Sequence, residues 1–357
     1  MPAKSKDSAF PSSRRGGGSA NEISGDIMLK YIVKRLALAV VILLGVSLII
    51  YFLVRLMPVD FVQNKIIAMS QNAGNVNEET VQAMYEMYGL GDNSFMGILK
   101  GYGNWLSALC RLDLGTSFKY GQPVAEVIFQ NMGVSFAVAF IATIFEFLIA
   151  IPLGITAATH QYSLRDYTVT VLVMIGISLP SFFFGNILKI LLSYKLGWLP
   201  ASGFVDATVS LVGVEKLLEY VRYLLIPILT IVILSIGARM RMTRTNMLEV
   251  LNSDYIRTAR AKGLKERVVI NKHAFRNTLI PLVTSMAGLL PMLFSGAIIT
   301  EQVFGLPGIG AKALEAMNAG DIPFIMGYNM FLAALSVLGV LLADLMYAVV
   351  DPRVKLE

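Results

Sequence analysis

Long stretches of this chain run without a charged side chain, among them Leu36–Val54 (19 residues), Thr168–Leu188 (21), Asn277–Thr300 (24) and Ile322–Ala343 (22). A helix needs about 20 apolar residues to cross the hydrocarbon layer of a bilayer. A fifth run, Val134–Thr159, is interrupted only by Glu146. The sixth and weakest, Tyr223–Ala238, has 16 uncharged residues around Pro227. It reaches across only if Arg222 and Arg239 snorkel towards the interfaces. The chain is 55% hydrophobic and 15% charged over 357 residues, too oily for a soluble domain of this size. These runs predict an all-α, polytopic membrane protein with six transmembrane helices.

Residues 1–27, rich in Ser, Gly and charge, read as a disordered cytoplasmic tail ahead of a transmembrane domain over 28–357. The pair Arg14-Arg15 is followed by Gly-Gly-Gly-Ser-Ala-Asn-Glu, not by the apolar core of a twin-arginine leader. Leu36–Val54 is too long for a signal-peptide core and is read as an anchor. Cys110 is the single cysteine and His160 and His273 are the two histidines, so neither a disulfide within the chain nor a His/Cys metal cluster is expected.

Charge in the loops sets the expected orientation. Lys30, Lys34 and Arg35 precede the first run, which places the N-terminus inside. Six helices return the C-terminus to the same side. The external segment 58–133 carries four basic and seven acidic residues, and the external loop Glu301–Asp321 one and three. The loop 239–276 carries ten basic and three acidic residues, a net +7 against +6 for the whole chain. That loop is therefore expected in the cytoplasm.

Its centre, Asp254–Val268 ("DYIRTARAKGLKERV"), has more organisation than an inward charge bias requires. Asn252 or Ser253 can cap a helix whose first turn favours Asp254. Gly263 stands where a left-handed residue would end that helix, followed by Leu264. The stretch "LKERVVINKHAF" then reads as a second helix returning to the membrane. Tyr255, Ala259 and Lys262 recur at helical spacing, giving a small-residue face beside bulky Tyr255 and Ile256. Such a helix–Gly–helix element suits docking to another protein. Tethered at both ends to membrane helices, it leaves no room for a nucleic-acid recognition domain.

The residues from Asp254 to Thr284, "DYIRTARAKGLKERVVINKHAFRNTLIPLVT", resemble the cytoplasmic coupling loop of the oligopeptide/dipeptide permease family, the membrane subunits of ATP-binding-cassette importers. "LGTSFKYGQPVAEVI", "IPLGITAA", "ISLPSFFFGNILKILLSYKLGWLPASG", "EQVFGLPGIGAKALEAMNAGDIP" and "DLMYAVVDPRVKL" resemble that family in the same order, so the likeness extends over almost everything from Met28 to Glu357. The general importer signature has Glu-Ala-Ala where this chain has Arg257, Thr258 and Ala259, and its proline falls earlier than Pro281. The peptide branch is similar to this chain in both respects.

The resemblance implies that Asp254, Tyr255, Arg257, Thr258, Ala259, Arg260, Gly263 and Leu264 couple to a cytoplasmic ATPase. It also implies a second homologous permease chain, two ATP-binding-cassette ATPases using ATP–Mg, an external substrate-binding protein, and residence in a bacterial inner membrane. Within the family, di- or oligopeptide import leads, and nickel, glutathione and oligosaccharide importers look much alike. A proton-coupled secondary transporter is the alternative of another class.

No nucleotide site, metal site or catalytic residue is expected in the chain itself. "GLPGIGAK", Gly305 to Lys312, lacks the Gly-Lys-Ser/Thr of a phosphate loop, and no His-Glu-x-x-His or Gly-x-Ser-x-Gly occurs. Intramembrane charges are functional candidates by default. Lys189 can snorkel. Asp344 is expected to pack or gate between helices. Glu146 could face the translocation path, bond to a partner helix, or pair with Lys189. Glu146 and Asp344 are thus the path or gating candidates.

Overall fold

The computed structural model describes residues 20–55, 94–204 and 213–350, and among these it is helical with one isolated bridge, Thr116 to Pro123. The helices in chain order are α1 (Ala20–Arg55), α2 (Phe95–Cys110), α3 (Val124–Thr159), α4 (Leu164–Ser178), α5 (Ser181–Leu188), α6 (Val214–Leu251), α7 (Asp254–Ala261), α8 (Glu266–Phe294), α9 (Ile298–Phe304), α10 (Ile309–Asn318) and α11 (Ile322–Val350). Five of them are long and apolar enough to span a membrane, and a sixth span results if the bent pair α4–α5 counts as one. Helix α1 begins at Ala20, inside the stretch read as tail; residues 1–19 lie outside the described residues, as does 58–93 of the expected external segment.

The bundle is built around the α3–α6 pair. Ala142, Ala150, Gly154, Ala157 and Ala158 are buried along one face of α3. A Cβ on Gly154 would lie 2.7 Å from Thr243 Cβ and 2.8 Å from Met240 O. Small side chains let the two backbones approach where lipid supplies no hydrophobic drive to associate.

The sixteen uncharged residues of Tyr223–Ala238 underestimate this element. Helix α6 has 38 residues, roughly 57 Å at 1.5 Å per residue. Its flanking charges do not limit it, because Arg239 is paired with Glu146 and Arg222 with Glu219.

Two other spans differ from the uncharged runs. Thr168–Leu188 is not one rod: α4 and α5 meet at Leu179-Pro180 with a bend of 102°. Pro180 has no N–H to give, and it holds Leu179 in an extended conformation. After α5 the chain continues as a π-helical turn, Lys189–Lys195. The fifth span, α8, starts at Glu266 and stops at Phe294, with a π-helical turn at Val269–Ala274 and a 3-10 turn at Met286–Gly288. Left-handed Gly296 (φ +72) then turns the chain, so Ile298–Thr300 belong to the separate helix α9.

The segment Glu301–Asp321, expected as a loop, is the helical elbow α9–α10 packed into the bundle. Ile309, Ala313 and Ala316 of α10 bury against Val124, Val127 and Ile128 of α3 and Phe324 of α11. At the other end of α3, Ala158 packs with Met247, Ile256, Val269 and Ala274 around α7. The start of α11 therefore lies at the elbow end and its finish at the α7 end, where Asp344 meets Arg35 of α1.

Candidate coupling surface and intramembrane ion pairs

Helix α7 is eight residues long, too short to hold itself together in water. It is held by two inward side chains. Ile256 and Ala259 are buried against Met247 of α6 and Val269 and Ala274 of α8. Asp254, Tyr255, Arg257, Thr258, Arg260 and Leu264 are exposed. The exposed face therefore comprises Tyr255 with Arg257, Thr258 and the Arg260 side. Ala259 does not share it, contrary to the helical-spacing reading, because it is one turn from buried Ile256 and faces the same way.

The ends of α7 are as distinctive. Ser253 occupies the N-cap position, but its hydroxyl donates to Val250 O at 2.6 Å and makes no capping bond. Ser253 O instead accepts the N–H groups of Ile256 and Arg257. Gly263 takes φ +76 in open space, its N–H bonded to Arg260 O. The left-handed conformation is there as the Leu264-preceding glycine suggested. Across that turn Arg260 forks onto Glu266, with Nη2 to Oε1 at 2.7 Å and Nε to Oε2 at 3.2 Å. This bond to the Glu266 carboxylate raises the guanidinium's already high pKa. The whole element is thus an exposed basic turn riding on a buried apolar pin.

Glu146, Asp344 and Asp166 each find an arginine from another helix. Glu146 Oε1 accepts from Arg239 Nε at 2.9 Å, with both side chains largely buried. Lys189 is not its partner: its Nζ donates to Val303 O at 2.7 Å and lies 5.6 Å from the Phe304 ring centroid. Asp344 is 3.1 Å from Arg35 of α1. A third pair, Asp166 of α4 with Arg244 of α6, is bidentate at 2.7 and 2.8 Å. The bilayer makes isolated charges costly, and pairing across helices lowers that cost while fixing which helices are neighbours.

Two acids at the elbow end are fully internal. Glu301 is 2% exposed. Its Oε1 accepts from Ser135 Oγ (2.6 Å) and Ala297 N (3.0 Å), and its Oε2 from Ala311 N (2.8 Å). Ser135 Oγ in turn accepts from Ile309 N. The glycine-rich stretch that superficially suggested a phosphate loop wraps this carboxylate: a Cβ on Gly308 would overlap it, and one on Gly310 would lie 2.9 Å from Oε2.

Asp321 accepts from Ser117 Oγ, Lys119 N, Phe118 N and Phe324 N. Beside it Tyr120 Oη lies 2.9 Å from Lys312 O and 3.1 Å from Glu315 Oε2. Burial, the adjacent Glu315 carboxylate and the Tyr120–Glu315 hydrogen bond push the Tyr120 phenol well above its usual range. Burial opposes ionisation of Glu315, but Lys312, the Tyr120 hydroxyl and Lys119 outweigh it and hold that carboxyl below its usual range.

Residues 150–356, which contain α6, the α7 turn, the elbow and all of α11, match the family described as "Binding-protein-dependent transport system inner membrane component". The chain belongs to that family. The permease is 35% identical over 329 residues to the oligopeptide transport system permease protein AppB of Bacillus subtilis (strain 168), covering 92% of the permease and 100% of that protein. It is 33% identical to the dipeptide transport system permease protein DppB of Alkalihalophilus pseudofirmus over 342 residues, and 32% identical to DppB of Escherichia coli (strain K12) over 345. Each match covers 92% of the permease and 100% or 99% of the relative.

The permease is thus a multi-pass inner-membrane subunit of an ATP-binding-cassette importer, a transport component and not a catalytic one. Arg239, Asp166, Arg244 and the internal roles of Glu301 and Asp321 were not singled out from sequence. Arg239 bounds an uncharged run and so looks like an interfacial anchor, and Glu301 and Asp321 bound an apparent loop. The signal available was the crowding of Gly305, Gly308 and Gly310 just after Glu301.

Proposed function

We propose that the permease forms one half of a heterodimeric translocation path for di- or oligopeptides, completed by a second, related permease chain. Of the two cytoplasmic ATPases, which bind and hydrolyse ATP–Mg, one docks on the exposed face of α7, and an external substrate-binding protein delivers the peptide at the elbow end. The chain termini and the α7 turn face the cytoplasm. The observation that carries this reading is the α7 turn itself, an exposed basic surface pinned to α6 and α8 by Ile256 and Ala259. ATP-driven closure of an ATPase pair that grips this surface moves the pin, and with it the two long helices that α7 joins. Peptides as cargo are supported by the named functions of the relatives.

Reconstitution of the permease with its paired chain, ATPases and binding protein in proteoliposomes tests this. ATP-dependent uptake of labelled dipeptide or pentapeptide is expected. Uptake of nickel, glutathione or an oligosaccharide in place of peptide replaces the cargo and leaves the machinery. Transport that needs no ATP but collapses with the proton gradient rejects the machinery as well. For orientation, single cysteines replacing Lys265 and Met317 in a Cys110→Ser background should differ: impermeant reagent added to intact cells modifies position 317 and spares 265. The reverse pattern inverts the topology.

A further inference from the structure

The Glu146–Arg239 pair has a third member. Arg239 Nη1 donates to Ser285 Oγ at 2.7 Å, and Ser285 Oγ donates to Leu282 O at 2.6 Å. The guanidinium also stacks on Phe147, 4.4 Å from the ring centroid. One side chain of α6 therefore grips α3 twice, through Glu146 and Phe147, and α8 once, through Ser285. These contacts sit at two weak points of regular structure. Ser285 is the last residue before α8 tightens into its 3-10 turn, where intrahelical bonding changes register. Glu146 lies on α3 six residues before Pro152, which leaves a gap in that helix's bond ladder.

The connectivity gives this cluster its meaning. Helices α6 and α8 are the two arms of the loop that carries α7. Arg239 lies roughly 20 Å along α6 from the start of α7, and Ser285 roughly 30 Å along α8 from its own start, at 1.5 Å per residue. Resting on the importer reading, we infer that Arg239 is a positioning residue of transport. It couples the α6–α8 hairpin to α3, so that displacement of α7 reaches the interior of the bundle as movement of α3 and not as flexing of the hairpin alone. Glu146 accordingly serves the path through Arg239, and does not contact cargo itself.

The geometry suits that task. Arginine's planar fork holds a carboxylate, a hydroxyl and an aromatic face at once, which lysine cannot do. The pair is buried, so the attraction is little screened. Two discrete partners on separate helices also give a joint that can hold on one side while it lets go on the other, as a two-state element requires.

The test uses the complete transporter in proteoliposomes and reads substrate moved per ATP hydrolysed, alongside ATP turnover, ATPase co-purification and thermal stability. Ser285→Ala removes one arm and leaves the ion pair. It should lower substrate per ATP about three- to tenfold, the scale of one net intramolecular hydrogen bond, with ATPase docking and stability unchanged. Glu146→Gln and Arg239→Lys should lower it by about tenfold or more. Combining Ser285→Ala with Arg239→Lys should add little to Arg239→Lys alone, since both remove the same joint. Glu219→Gln, in the exposed Glu219–Arg222 pair of the same helix, should leave the ratio unchanged.

An unchanged ratio in Ser285→Ala overturns the inference. So does a loss in Ser285→Ala in which uptake and ATP turnover fall together in proportion to abundance, which marks a purely structural contact. Should Glu146→Gln fail to assemble, Ser285→Ala decides alone. Absence of ATP-driven uptake by the unmodified transporter is a separate result, and it rejects the importer reading instead.

Discussion

The α7 turn and the α9–α10 elbow both interrupt an oily chain with charge, at opposite ends of the bundle, and they treat that charge in opposite ways. Around α7 the charged groups point out and the apolar ones are pinned inside: Arg257 and Asp254 form an exposed pair at 3.5 Å, while Ile256 and Ala259 are buried. At the elbow the order is reversed. Glu301 and Asp321 are buried, each satisfied by backbone N–H groups and a serine, and the surrounding glycines leave no space around Glu301. An exposed charged surface is available to a partner and can be edited cheaply. A buried carboxylate with both oxygens bonded holds its own segment in place, and removing it leaves several donors unsatisfied.

This contrast can be broken most directly at Gly308. A valine there has nowhere to go, because even its Cβ overlaps the Glu301 carboxylate. Gly308→Val should abolish closure of the elbow and reduce membrane abundance severely, measured by quantitative blotting of membranes. Normal abundance and melting temperature would show that the elbow tolerates opening and that the contrast is overdrawn.

Glu301→Gln comes next. The amide retains one acceptor oxygen but turns an NH2 towards donors it cannot accept from. The cost should be about 1–3 kcal/mol for each donor left without a partner, seen as a lowered melting temperature of detergent-solubilised protein. Glu301→Ala should be worse, and adding Ser135→Ala to it should cost more again, since that change also leaves the buried Ile309 N–H without its acceptor.

A smaller effect is expected at Gly263, where open space makes the penalty one of backbone conformation only. Gly263→Val should cost roughly 1–2 kcal/mol on the local turn, and Gly263→Asn less, since asparagine tolerates the left-handed region. Abundance should hold for both while ATPase co-purification and uptake fall for valine first. Equal uptake by glycine, asparagine and valine variants would reduce the turn to a topological anchor. Arg257→Ala should do least: its Asp254 pair is solvent-exposed and screened, and nine other basic residues remain in 239–276. A large loss of ATPase co-purification in Arg257→Ala, with abundance intact, would instead assign that side chain a direct docking contact.

Much of this protein is written in one dimension. Apolar length alone marks α1, α3 and α11, because crossing lipid is a property of a segment and its solvent, whatever the neighbours. The α7 turn was equally legible. A short helix, a left-handed glycine and a returning helix are local features with local causes, and Gly263 bears the φ that its place in the motif required.

Tertiary structure decided everything that depends on one segment meeting another. Whether Thr168–Leu188 runs straight, whether Glu301–Asp321 is a loop, and which face of α7 looks outward each turned on packing that no window of sequence contains. Charge pairing shows why most plainly. Glu146 and Arg239 are 93 residues apart along the chain and 2.9 Å apart in space. In lipid a charge's fate is set by the group that neutralises it, and only the fold names that group.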